Sequence, residues 1–143
     1  LLTTKRMATT TATISLNSAD ITGDPLSLSK TSTLTKAQGT DGLNQFTGIT
    51  TLVYSGAQTA KSLVLAASYV NTAVAHKVYI RNTSTSEIDY INIELGSTNV
   101  SLGRLYGGDW AFLPWDAIND IDIDTSGALT IEFGVFSQSA LSA

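Results

Sequence analysis

The chain has 143 residues, a formal net charge of −4, one histidine and no cysteine, and only 14 % of its residues are charged. The missing cysteines exclude disulfides, thiolate nucleophiles and Cys-based metal sites, and the acidic balance argues against nucleic-acid partners, which need a basic face. One domain with an unstapled hydrophobic core is expected at this length, and no run approaches the roughly 18–20 apolar residues that a membrane-crossing helix requires, so no membrane partner is expected.

Met7-Ala8-Thr9-Thr10 reads as a natural start. Residues 1–6 are therefore expected to be upstream-derived or an extended arm; Lys5-Arg6 is followed by no apolar stretch of a signal peptide. Ala12, Ile14 and Leu16 alternate with Thr11, Thr13 and Ser15, which predicts a half-buried strand. Thr22-Gly23-Asp24-Pro25 predicts a turn. Leu26 and Leu28, then Thr31 to Thr35, predict a second strand, and Gly39-Thr40-Asp41-Gly42 a loop.

Phe46 to Tyr54 reads as one strand, whereas Ser62 to Val70 suits either a buried strand or a short helix. Lys77 to Asn82 is a clear strand. In Ile88 to Leu95 the alternation slips at Tyr90-Ile91, which predicts a bulge or aromatic exposure there. Val100 to Tyr106, Trp110 to Trp115, Ile118 to Thr125 and Leu129 to Phe136 complete the set. The class is all-β: a single-domain β-sandwich or jelly-roll-like fold of eight to nine short antiparallel strands over residues 7–136. Residues 137–143 form a small polar tail.

Chemistry is sparse. Asp120, Asp122 and Asp124 alternate with Ile121 and Ile123 and share a strand face, with Asp116 nearby. Carboxylates spread along a regular strand hold calcium poorly, because calcium takes roughly six to eight oxygens from a curved loop. Nothing raises the pKa of one of them for glycoside hydrolysis. A solvated strand face is the expectation, with no catalytic residue, no metal site, no cofactor and no enzymatic activity. His76 is expected at the surface, and no nucleophile motif accompanies it. Asn82-Thr83-Ser84 and Asn99-Val100-Ser101 match the glycosylation pattern by chance in a chain so rich in hydroxyls.

Four of the eleven aromatics fall between Tyr106 and Trp115. Trp110 and Phe112 share one strand face and are expected in the core, with Ala111 and Leu113 on the other. Trp115, after Pro114, is the better candidate for partial exposure at a contact between subunits. The interface candidates are Tyr106, Trp110, Trp115 and Arg104, together with Thr9, Thr10 and Thr11 as a docking arm. Residues 1–86 carry seven basic and three acidic groups, whereas residues 87–143 carry one base and nine acids. An interleaved β fold would mix these charges; otherwise they offer complementary faces for self-association.

Met7-Ala8-Thr9-Thr10-Thr11, Lys77-Val78-Tyr79-Ile80-Arg81-Asn82-Thr83-Ser84, and Leu102 to Trp110 with Pro114-Trp115 resemble a family of small virion proteins of tailed phages, notably phages of cyanobacteria. The resemblance implies a β-rich capsid decoration, or cement, protein on the capsid surface. It would bind the major capsid protein and copies of itself, as a homotrimer. A tail, baseplate or fibre component that binds a host surface glycan is the alternative. The 21 Thr and 16 Ser, many of them on outward strand positions and in turns, suit repeated docking in an assembly.

Overall fold

The computed structural model describes residues 10–34, 43, 45–70, 74–96, 98 and 100–138. Thr9, the expected arm at 1–6, the loop at 39–42, Asn99 and residues 139–143 lie outside the described residues. The chain divides into two compact units, Leu1–Asn44 and Gln45–Ala143, where the sequence pattern suggested no boundary. The fold is all-β, with eleven strands among the described residues.

The first unit holds one hairpin, β1 (Thr11–Ser18) and β2 (Leu26–Thr33), paired antiparallel without a break from Thr11↔Thr33 to Ser18↔Leu26. Directly opposed residues share a face. Ala12, Ile14 and Leu16 therefore lie beside Leu28 and Leu26, with Lys30 opposite Ile14. The other face carries Thr11, Thr13, Ser15 and Asn17 against Thr33, Thr31, Ser29 and Ser27, and is tied together by Thr13 and Thr31, whose hydroxyl oxygens are 2.8 Å apart. This hydroxyl-lined face is what the period of two predicted, but the strand is not half-buried as expected: Ile14 and Leu16 on its apolar face are each exposed. Thr10 donates through Oγ1 to the Leu43 carbonyl at 2.8 Å.

The second unit is a sandwich of two antiparallel sheets. One sheet orders β5 (Gln58–Val64), β10 (Ile121–Thr125), β7 (Tyr90–Leu95) and β8 (Val100–Tyr106). In the other, β11 (Leu129–Ser137) is flanked on one side by β6 (His76–Asn82) and then β9 (Trp110–Trp115). Its other side is shared by β3 (Gln45–Phe46) and β4 (Thr50–Tyr54). From β4 onward every connection crosses between the sheets except the β7–β8 hairpin.

The core lies between the sheets. Val78, Ile80, Ile131 and Val135 from one meet Ile91, Ile93, Ile121 and Ile123 from the other, and all are essentially inaccessible to solvent. These β-branched side chains fit a pleated buried surface, and each contributes on the order of 1.5–3 kcal/mol through burial.

Two differences from the sequence pattern account for the higher strand count. The run from Phe46 to Tyr54 is two strands, because Gly48 adopts φ +83° and breaks the extended backbone between them. The ambiguous Ser62–Val70 segment is the end of a strand followed by a 3-10 turn, Ala66–Ser68.

The apparent slip at Tyr90-Ile91 has a different origin from the one expected. Ile88 sits in a turn closed by Asp89 N donating to Ser86 O at 3.3 Å. The strand proper begins at Tyr90 and alternates regularly. The bulge lies further on, where Ile93 faces Gly103 and Glu94 faces Ser101, leaving Leu102 unopposed.

The charge asymmetry along the chain is mixed within this unit. Lys61 on β5 lies opposite Ile123 of the acidic β10, and Arg81 on β6 pairs with Glu132 on β11 at 3.9 Å.

Candidate functional site

Strand register decides which aromatics reach the surface. On β6, Lys77, Tyr79 and Arg81 lie opposite Phe136, Gly134 and Glu132 of β11 on one side. On the other they face Pro114, Phe112 and Trp110 of β9. The alternate positions, Val78, Ile80, Ala111, Leu113 and Val135, belong to the core or pack against it. Trp110 and Phe112 do share a face, as expected, but it is the outer one.

The result is an aromatic plate on the outside of the five-stranded sheet. Phe46 stacks on Phe136 with centroids 4.2 Å apart, and Phe112 meets Phe136 edge-on at 5.9 Å. Tyr79 lies between them and donates its hydroxyl to Glu132 Oε1 at 2.7 Å. Burial and the Glu132 carboxylate raise its pKa, so the phenol stays protonated and neutral across the physiological range. Trp110 stands at the end of the row, 54 % exposed.

Gly134 makes the plate possible. A Cβ there would come within 2.6 Å of Phe46 Cε1 and 2.9 Å of the Gly48 carbonyl oxygen. Gly134→Ala is accordingly expected to lift Phe46 off the sheet and cost about 1–3 kcal/mol. Urea unfolding, combined with the ring-current shifts of Phe136, would measure both effects.

The remaining expected site residues fall elsewhere. Arg104 and Tyr106 lie on the outer face of the four-stranded sheet, where the Arg104 guanidinium sits 4.1 Å over the Tyr90 ring. Tyr90 and Tyr106 are cross-strand partners with centroids 5.9 Å apart. Thr10 and Thr11 belong to the first unit.

Trp115 corrects the expectation of partial exposure: it is 6 % exposed and part of the core. Its ring packs edge-on against Tyr69 and His76, and its Nε1–H donates to the Asn119 carbonyl at 2.7 Å. His76, expected at the surface, is buried as its register partner, with Nε2 2.7 Å from the Val70 carbonyl.

The aspartates are not a solvated row. Asp116 Oδ1 accepts from Ile118 N, Asp120 Oδ1 from Ala66 N at 2.8 Å, and Asp124 Oδ1 from Ala60 N at 2.7 Å. Asp120 and Asp124 thus pin β5 and the turn after it to β10. Asp122 is buried. Among the described residues no group of three or more His, Asp or Glu is arranged to hold a metal ion.

The sequence pattern did not flag Asn82 as structural. It is fully buried, and its Nδ2 donates to the Leu105 carbonyl of the opposite sheet at 3.1 Å. An amide enclosed in this way leaves no room for a glycan in the folded chain.

No protein-family model matches the chain, and no curated protein matches it.

Proposed function

We propose that the chain is a non-enzymatic virion structural subunit, a capsid decoration or cement protein that stabilises the head lattice. In this reading it binds the major capsid protein and other copies of itself, as a homotrimer on the capsid surface. The aromatic plate on the five-stranded sheet carries the reading. Trp110 and Phe46 present large apolar side chains to solvent on the outer face of this sheet, as Val53 does at a separate position on β4, and side chains of this kind dominate the energy of protein interfaces. The β1–β2 hairpin adds a second adhesive surface, with Ile14 and Leu16 each 44 % exposed. The resemblance to phage virion proteins supports the same conclusion.

The experiment uses particles stripped of the chain and re-decorated with purified protein. Wild-type chain is expected to bind over the head in proportion to the major capsid protein. Trp110→Ala is expected to bind at least about tenfold more weakly. Because Trp110 is exposed, its loss should leave stability within about 0.5 kcal/mol. Label confined to the tail, or undiminished binding by Trp110→Ala, would overturn the proposal.

A tail or fibre subunit that binds a host glycan is the second reading. The Tyr90–Tyr106 pair beneath Arg104 favours it, since aromatic faces flanked by donors suit sugar rings. Host-glycan binding that is lost in Tyr106→Ala would select it.

A further inference from the structure

We infer that Glu94 on β7 and Asp124 on β10 share one proton, forming a pH-dependent clasp across the middle of the four-stranded sheet. Glu94 is 6 % exposed and lies in register with Asp122, which is 8 % exposed. Asp124 is two residues along on the same face, opposite Asn92. Among the described residues Glu94 Oε2 and Asp122 Oδ1 are buried without any donor. Two ionised carboxylates left that way are costly to bury in combination. A proton on Glu94 relieves its own share of this cost, because the carboxyl becomes a donor and Asp124, diagonal to it across the β7–β10 pair, is the acceptor it is placed to meet.

Among the described residues the surroundings offer no alternative compensation. From β7, Asn92 donates to Glu94 Oε1 at 3.3 Å and is itself engaged by the Ser101 hydroxyl of β8. Arg104 on β8 is placed over Tyr90, and Lys61 on β5 lies beside Ile123. The one ion pair among the described residues, Arg81–Glu132, is on the other sheet. Asp124 is held ionised from a third direction. A bulge in β5 sets Thr59 and Ala60 against it, and Ala60, at φ +48°, aims its N–H at Oδ1.

The two groups shift in opposite directions. The hydrogen bond to Asp124, then burial, raises the Glu94 pKa, whereas the Ala60 N–H lowers that of Asp124. Glu94 thus favours the fold most when protonated. That contribution is complete below the ordinary glutamate range and is lost as pH rises through the raised value. Asp124 contributes above the ordinary aspartate range and loses its contribution as pH falls through the lowered value. The sandwich is therefore held best under mildly acidic conditions and loosens toward neutrality.

The test compares urea midpoints of wild type and Glu94→Gln between about pH 4 and 8, together with the Glu94 carboxyl carbon signal of the wild type. The wild-type midpoint should fall from the acidic to the neutral end. Glu94→Gln, which donates to Asp124 at every pH, should match or exceed it at neutrality and remain flat through the upper half of the range. The Glu94 signal should titrate above the ordinary glutamate value. A Glu94 signal titrating at or below that value overturns the clasp, and it does so even where the variant fails to fold. Millimolar calcium chloride at neutral pH is the remaining arm. No effect supports the shared proton, whereas a raised midpoint in wild type alone assigns the unpartnered oxygens to a cation and overturns it.

Discussion

Trp115→Ala is expected to destabilise the sandwich by about 3–5 kcal/mol, the range for removing a large aromatic from a packed core. Trp115 is in the core cluster, contacts Tyr69 and His76 edge-on, and caps the Asn119 carbonyl at 2.7 Å. Its removal leaves a cavity, two unsupported rings and an unsatisfied acceptor. Trp115→Phe keeps most of the volume and should lose only the hydrogen bond and part of the packing, on the order of 1–2 kcal/mol. Trp110→Ala, five residues away on the outer face, is the control and should unfold almost as the wild type does. Chemical unfolding of the three variants checks the order. Equal losses for Trp110 and Trp115 would contradict the placement of the two rings.

The contrast between these tryptophans shows what the sequence could reveal and where it stopped. Period-two alternation made the strands legible from Thr11 to Phe136, and it correctly paired Trp110 with Phe112 and Ala111 with Leu113. Alternation does not say which face is inside. Large aromatics argue for the core, and that argument pointed the wrong way here. Ala111 and Leu113 face a core already filled by isoleucines from the other sheet, which leaves the bulkier residues outside. Trp115 lies on the inner side because it is in phase with Ala111 and Leu113. Its own alternation was therefore informative, and the preceding proline misled. Pro114 occupies an outward position in the sheet and does not turn the chain away from the core.

His76 and Glu94 escaped notice for another reason. Polar residues within strands ordinarily mark the solvent side. His76 is inside because its register partner is Trp115, and that pairing brings together segments nearly forty residues apart. Glu94 sits opposite Asp122, so its environment is set by β10 and by a bulge in β5. Local pattern carries the faces of one strand, whereas long-range register carries what each face meets. The aspartates were visible as a group, but their role as acceptors for Ala60 and Ala66 depended on where β5 ends.

Asn82→Asp, a near-isosteric change, is expected to be strongly destabilising. Asn82 has no solvent exposure. Its Oδ1 accepts from Ser84 N at 3.0 Å, while Nδ2 points at the carbonyls of Leu105, at 3.1 Å, and Asp89, at 3.4 Å. One amide thus links β6 in one sheet to β8 in the other and closes the loop between β6 and β7. Aspartate preserves the shape and the Ser84 contact, but it turns the donor into an acceptor facing two carbonyl oxygens and buries a charge with no counter-charge among the contacts of Asn82. A loss of about 3–5 kcal/mol at neutral pH follows. Protonation restores a donor, and the aspartate pKa in the fold lies above its unfolded value, so the loss should shrink as pH falls toward the ordinary aspartate range. Asn82→Leu has no charge to relieve and should cost about 2–4 kcal/mol at every pH. Unfolding both variants at neutral and acidic pH separates the two cases, because only Asn82→Asp should recover stability on acidification. If it does not, the amide is not the tie between the sheets.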